Sequence, residues 1–291
     1  MDILETEIQV LTGFDKEMRA VAILLAAVSL AACDAKPIEP KAAAPLVITY
    51  DGAITKDPAA LVNHGERMAT MVGCTGCHGE NLQGQNVTSD DPGFGDMNAP
   101  NITLLLAKYD DSTLDKLIRH GMPRDGREFW FMPSEVHQFV ADLDYAALVA
   151  FLRTVKPAGK PMPPIRKGPD MTAQVKAGDI AASTEMIRRF KASQPTDLGP
   201  GHALGRYIAM TTCTECHNSK LQGYPGFSPD LDIAGSYSTA ELTTLLTTGE
   251  GKVRKDLGLM SATARHRFAR LTPNERAAVI AYIKARVDRP Q

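Results

Sequence analysis

Apolar residues recur with helical spacing near the end of each half of the chain. Leu148, Phe151, Leu152 and Val155 fall at i, i+3, i+4 and i+7, and Val279, Tyr282 and Ile283 repeat the spacing. Each set lines one face of a helix. Polar start signals stand where such helices need them. Thr272-Pro273-Asn274-Glu275 has a capping Thr, a Pro at the first helical position and a Glu three residues after the cap. Ser238 with Glu241 makes a second capping box, and Asp144 aligns with Thr272. No stretch alternates apolar and polar residues over the length of a strand, so the pattern predicts an all-α chain.

The pattern also repeats. Gly65-Glu66-Arg67-Met68 answers Leu204-Gly205-Arg206-Tyr207, and Leu82-Gln83-Gly84 answers Leu221-Gln222-Gly223, both at an offset of 139 residues. Further on the offset becomes 128, and Tyr109, Leu114, Gly121 and Met132 pair with Tyr237, Leu242, Gly249 and Met260. Two small helical domains are expected, over 58–157 and 196–291. Between them (158–195) lies a linker: Lys156 to Asp170 holds five prolines and no helical period. Met171 to Gln194 is more helical in composition and is expected to pack across the junction.

Inside the repeat sit Cys74-Thr75-Gly76-Cys77-His78 and Cys213-Thr214-Glu215-Cys216-His217. C-x-x-C-H is the attachment pattern for c-type haem. Two thiols form thioethers with the two vinyl groups of one porphyrin, and the following His offers an imidazole nitrogen to the iron. Cys74, Cys77, Cys213 and Cys216 are therefore expected to hold two covalent haem c groups, with His78 and His217 as iron ligands. Zinc and thiol–disulfide chemistry are the alternatives. A zinc site needs both pairs to converge on one metal, and a thioredoxin-like motif follows a strand in a βαβ unit.

The second axial ligand decides what such an iron does, because Met saturates it for electron transfer and an open position admits small ligands. Met260 is the sole Met after the second motif. Met97, Met122 and Met132 compete in the first half, and the 128-residue offset selects Met132. Core filling is the ordinary role of a Met. His120, His137 and His266 are rivals, expected at the surface or beside the haem propionates. Pro100 and Pro229 occupy matching places, either as turn prolines or as carbonyl partners for the proximal His. Arg119, Arg124 and Arg127, and likewise Arg265, Arg267 and Arg270, read as propionate partners, a docking patch or solvated loop residues.

The remaining sequence changes the picture at one end only. Of 291 residues 44% are hydrophobic and 23% charged, with a net charge of −2, and no basic tract suggests nucleic acid. Residues 1–33 read as a targeting segment whose true start is expected at Met18. Arg19 precedes an apolar run, Val21 to Leu30, which is short for a membrane span. Leu30-Ala31-Ala32-Cys33 resembles the lipobox of bacterial lipoproteins, which implies lipid on Cys33; an ordinary cleaved signal is the alternative. Asp34 resembles the signal for retention at the inner membrane. Residues 34–57, rich in Ala, Pro and Lys near their start, read as a flexible tether.

Across 58–291 the chain resembles class I cytochromes c in tandem. More closely it resembles diheme cytochromes c related to the cytochrome subunits of bacterial membrane-bound dehydrogenases. The likeness rests on the two haem motifs, on Ile118-Arg119-His120-Gly121 with Asp125-Gly126-Arg127, on Phe131-Met132-Pro133-Ser134, and on Gly258-Leu259-Met260-Ser261 with Arg267-Phe268. It implies a small helical bundle around each haem, Pro carbonyls near Pro100 and Pro229 supporting the proximal His, and Met132 and Met260 as distal ligands. Dehydrogenase subunits of that kind often carry three haems, whereas this chain has two motifs. The function expected is electron transfer at the periplasmic face of the inner membrane, without catalysis by the chain itself. The partners expected are a dehydrogenase, a quinol-linked complex or a terminal oxidase. Rival functions are the cytochrome subunit of a dehydrogenase complex, a diheme peroxidase recruiting Glu135 or His137, and a redox sensor.

Overall fold

A computed structural model describes residues 47–289. The targeting segment, Cys33 and the first part of the tether lie outside the described residues.

The first half begins with α1 (Pro58–Met71), capped by Asp57 and opened by Pro58 at its first position. It runs into α2 (Cys74–His78), the first haem motif. Next come α3 (Asp111–His120), α4 (Ser134–His137) and α5 (Asp142–Thr154). The second half repeats this plan as α8 (Ala203–Ile208), a π-turn over Ala209–Cys213, α9 (Thr214–His217), α10 (Thr239–Thr248), α11 (Leu259–His266) and α12 (Pro273–Val287). Both expected capping boxes form, Ser238 with Glu241 and Thr272 with Glu275. Among the described residues strands are confined to four two-residue pieces: β1 (Gln85–Asn86), β2 (Gly95–Asp96), β3 (Asn98–Ala99) and β4 (Arg166–Lys167). β1 pairs antiparallel with β3, and β2 with β4. Such short ribbons leave no alternating pattern, and the architecture is that of an all-α protein.

In each half the first helix crosses the last at a glycine. A Cβ on Gly65 would collide with the Ala147 carbonyl oxygen of α5, and one on Gly205 with the Ala278 carbonyl oxygen of α12. Such close backbone approach leaves no room for a side chain. This contact corrects the expected register. Gly65 corresponds to Gly205, not to Leu204. Ala147 corresponds to Ala278, so Asp144 answers Glu275 and Ala141 answers Thr272 as the N-cap. The second half is one residue shorter between its crossing glycine and its motif. Gly73, in the left-handed region at φ 92°, ends α1 in the first half; the π-turn carries the chain onward in the second.

Two segments depart from the expected tether and linker. Val47–Asp57, inside the expected tether, lies against both halves, with Tyr50 and Ala53 buried. The Pro-rich stretch is extended but pinned to the first half. Asn101 donates to the Ala158 carbonyl at 2.7 Å, Arg166 pairs with Asp96 at 2.8 Å, and β4 adds to β2. Past it, α6 (Pro169–Ala177) and α7 (Ser183–Ala192) form; α7 packs on α4, with Gln138 donating to the Ile187 carbonyl at 3.1 Å. The buried residues of both halves join in one continuous hydrophobic cluster.

Candidate haem centres

Each motif ends in the same tight loop. After His78 the chain turns at Gly79 (φ 78°), and after His217 at Asn218 (φ 58°). Leu82 and Leu221 then take positive φ values of 60° and 63° while fully buried. A buried leucine in that region is a strained choice, held by its surroundings. Those surroundings match bond for bond. Gly84 and Gly223 N–H groups donate to the His78 and His217 carbonyls at 2.8 and 2.9 Å, while Ile102 and Leu231 donate to the Leu82 and Leu221 carbonyls.

The loops bring a proline carbonyl against each motif histidine. Nδ1 of His78 lies 2.8 Å from the Pro100 oxygen, and Nδ1 of His217 lies 2.8 Å from the Pro229 oxygen. Each Nδ1 is therefore the protonated nitrogen, and Nε2 is left as the electron-pair donor. Burial lowers both histidines below their usual pKa, with the proline hydrogen bonds acting against it, which favours the neutral imidazole a metal needs. No disulfide joins the four motif cysteines. Burial pushes Cys74 and Cys216 up to about 12 and Cys213 up to about 11, and raises Cys77 as well. A thiol–disulfide catalyst needs a lowered thiol, so these pairs do not suit that chemistry. No group of three or more His, Cys, Asp or Glu capable of holding a metal ion occurs among the described residues. Two isolated Cys-Cys-His sets, each with its imidazole oriented, fit two haem c groups.

The candidate distal ligands sit in different local structure: Met132 lies in the bend before α4, as expected, whereas Met260, expected in a loop, is the second residue of α11. Met132 and Met260 are half-buried and pack on the same cluster as Cys74 and Cys213. Met122 is exposed (56%), and Met97 is buried outside that cluster. The rival histidines have other partners. His120 is exposed beside Asp115. His137, expected at the surface or beside the haem propionates, is buried, with Nε2 3.0 Å from the Val72 carbonyl and Nδ1 without a partner among the described residues. His266 bridges Thr75 at 3.0 Å and Glu80 at 3.2 Å. The arginines separate too. Arg119 is engaged by Asp115 and Asp142 over the Tyr145 ring, while Arg127 forms an exposed pair with Asp125.

Beside the shared hydrophobic cluster, a reciprocal polar network bridges the halves. Asp144, fully buried, accepts from Tyr50 N–H at 3.1 Å and from Tyr207 OH at 2.7 Å, and pairs with His64 at 2.8 Å. Its counterpart Glu275, also fully buried, accepts from Asp51 N–H at 2.8 Å and from the Arg67 guanidinium at 2.7 and 3.0 Å. Arg67 and Tyr207 hold equivalent places in α1 and α8, so each half reaches into the other's last helix, as in an isologous dimer. Sequence reasoning missed this network, since its partners lie up to 224 residues apart.

The cytochrome c family model matches residues 62–156 and again residues 202–286. The chain belongs to the cytochrome c family. No curated protein matches it. The cytochrome carries two covalently bound haem c groups, one per domain, and serves as an electron carrier between redox partner proteins. Its chain's own contributions are the paired thiols, an imidazole aimed by a proline carbonyl in each domain, and the interface that holds the two domains as one body.

Proposed function

We propose that this diheme cytochrome is an exported electron relay tethered to the inner membrane through lipid on Cys33, with His78 and Met132 as axial ligands of the first iron and His217 and Met260 as those of the second. When bound, each haem supplies a one-electron ferrous–ferric couple. The protein holds each imidazole through Nδ1, excludes water with the shared hydrophobic cluster and keeps both sites within one rigid unit. The observation that carries the reading is the pairing of Met132 with Met260 in the repeat, both half-buried on the one cluster against which Cys74 and Cys213 also pack. A thioether there saturates the iron and leaves little ligand rearrangement during electron exchange. The partner is a membrane dehydrogenase, a quinol-linked complex or a terminal oxidase.

Two measurements test it. Met132→Ala is expected to remove the Met-to-iron charge-transfer band of one haem while Met122→Ala leaves both; the reverse result overturns the ligand assignment. Reduced protein is expected to bind carbon monoxide slowly or not at all, and rapid binding favours a peroxidase-type enzyme instead. Purification from membranes in mild detergent then separates the partner readings. A dehydrogenase in fixed ratio makes the chain its electron-exit subunit, and a terminal oxidase places it at the delivery end. A chain eluting alone with labelled lipid on Cys33 is a tethered shuttle, and a chain found free of lipid in the soluble fraction overturns the anchor.

A further inference from the structure

The two haem motifs, C-T-G-C-H and C-T-E-C-H, differ at a single position, Gly76 in the first and Glu215 in the second. The fold brings that one difference to the contact between domains. The Arg267 guanidinium, carried at the end of α11, lies against the backbone of the first motif. A Cβ on Gly73 would stand 2.6 Å from its Nη2, and one on Gly76 would stand 3.3 Å from the same atom. From there Arg267 Nη1 reaches Glu215 of the second motif at 2.5 Å. One domain leaves space for the cation and the other provides its counter-charge. The pair is largely buried, with side chains 12% and 22% exposed. Beside it, His266 closes the same seam by bridging Thr75 and Glu80.

We propose that the Arg267–Glu215 ion pair is an electrostatic junction between the haems, which fixes the two attachment helices against each other and sets both reduction potentials together. Arg267 and Glu215 are positioning residues, and neither exchanges electrons or protons. The ferric form of a haem carries one more positive charge than the ferrous form, and buried charges are weakly screened. An unopposed carboxylate at the junction therefore favours the ferric state, and an unopposed guanidinium favours the ferrous state. Both charges lie beside both motifs, since Arg267 packs on Gly73 and Gly76 at the first and pairs with Glu215 in the second. With a haem held at each motif, exchange of one electron would oxidise one ferrous iron and reduce the other, ferric, iron, with no bond made and no proton moved at Arg267 or Glu215.

The experiment is a potentiometric titration of the full diheme chain, followed by absorbance of the two haems. Glu215→Gln is expected to raise both potentials, Arg267→Gln to lower both, and the double variant to return close to the parent. The expected size is a change of about threefold to tenfold in the ferrous-to-ferric ratio at fixed applied potential, tenfold being about 59 mV for a one-electron couple. Shifts of the same sign in the two single variants would mean a purely mechanical latch and would overturn the proposal, as would movement of one haem alone or of neither. Should Arg267→Gln fail to fold, Arg267→Lys, which keeps the charge, is expected to leave both potentials within twofold in that ratio. Glu215→Gln then decides the question by itself. The proposal rests on one haem at each motif, and failure of that premise would show separately as missing haem absorbance in the parent chain.

Discussion

The two domains solve one problem by different local means. Each must carry its chain from a helix crossing at a glycine to a C-x-x-C-H turn. The first domain takes nine steps, from Gly65 to Cys74, and stops α1 with Gly73 in the left-handed region. The second takes eight, from Gly205 to Cys213, and widens the helix into a π-turn. Beyond the motifs the two converge again, with strained leucines and a proline carbonyl in corresponding places and a half-buried methionine, in a bend in the first domain and in the first turn of a helix in the second. What is held constant is the orientation of the imidazole; what varies is the path that delivers it. The variation is not idle, because Gly73, which ends the first helix, also makes room for Arg267.

The largest effect that would break this symmetry comes from the buried acids. Glu275→Ala leaves the Arg67 guanidinium facing a buried void, a loss of about 3–5 kcal/mol for a broken buried pair. Asp144→Ala strands Tyr50 N–H and Tyr207 OH, at about 1–3 kcal/mol for each group left unsatisfied. Because both acids bridge the domains, urea unfolding of either variant is expected to show one lowered midpoint shared by both haem signals. Two separate midpoints would show domains that fold independently.

Gly65→Ala and Gly205→Ala come next. Each forces a methyl into a backbone carbonyl, so a cost near the upper end of the overpacking range, about 3 kcal/mol, is expected in both. A tolerant Gly205 beside an intolerant Gly65 would mean that the π-turn lets the second crossing relax. Thermal unfolding of the haem-loaded variants measures the difference.

The smallest effect concerns Glu135, on α4. Burial raises its carboxyl up to about 7, and Glu215 across the seam pushes in the same direction. A raised acid is protonated in the folded chain where the unfolded chain has already lost its proton. Its contribution to stability is thus present below about pH 4.5 and is lost as pH rises through about 7. Glu135→Gln is expected to flatten the fall in melting temperature between pH 5 and pH 7, and an unchanged slope would count against that burial.

Much of the centre was legible from the sequence because its chemistry is local. Two cysteines, a histidine and a capping box each announce themselves within five residues. The fold class followed from helical spacing around Leu148 and Val279. The first-helix register was not legible. A constant offset aligned Gly65 with Leu204, since a one-residue shortening absorbed by a π-turn leaves no mark on composition. The tether was misjudged for another reason. Tyr50 and Asp51 look unremarkable in their own neighbourhood and are ordered by Asp144 and Glu275, far along the chain. The extended linker showed its prolines but not its pinning, because a two-residue ribbon has no period to detect. Arg267 looked like its neighbours Arg265 and Arg270 until the fold set it over Gly73.

The strap around Tyr50 and Asp51 also bears on biogenesis. Asp51 waits for Glu275, 224 residues downstream, and contacts so distant in sequence form slowly. During synthesis both cysteine motifs emerge before α12 exists to complete the seam. Until α12 has docked, the seam between the domains stays open. The earliest part of the folded body to be made is among the last to find its place.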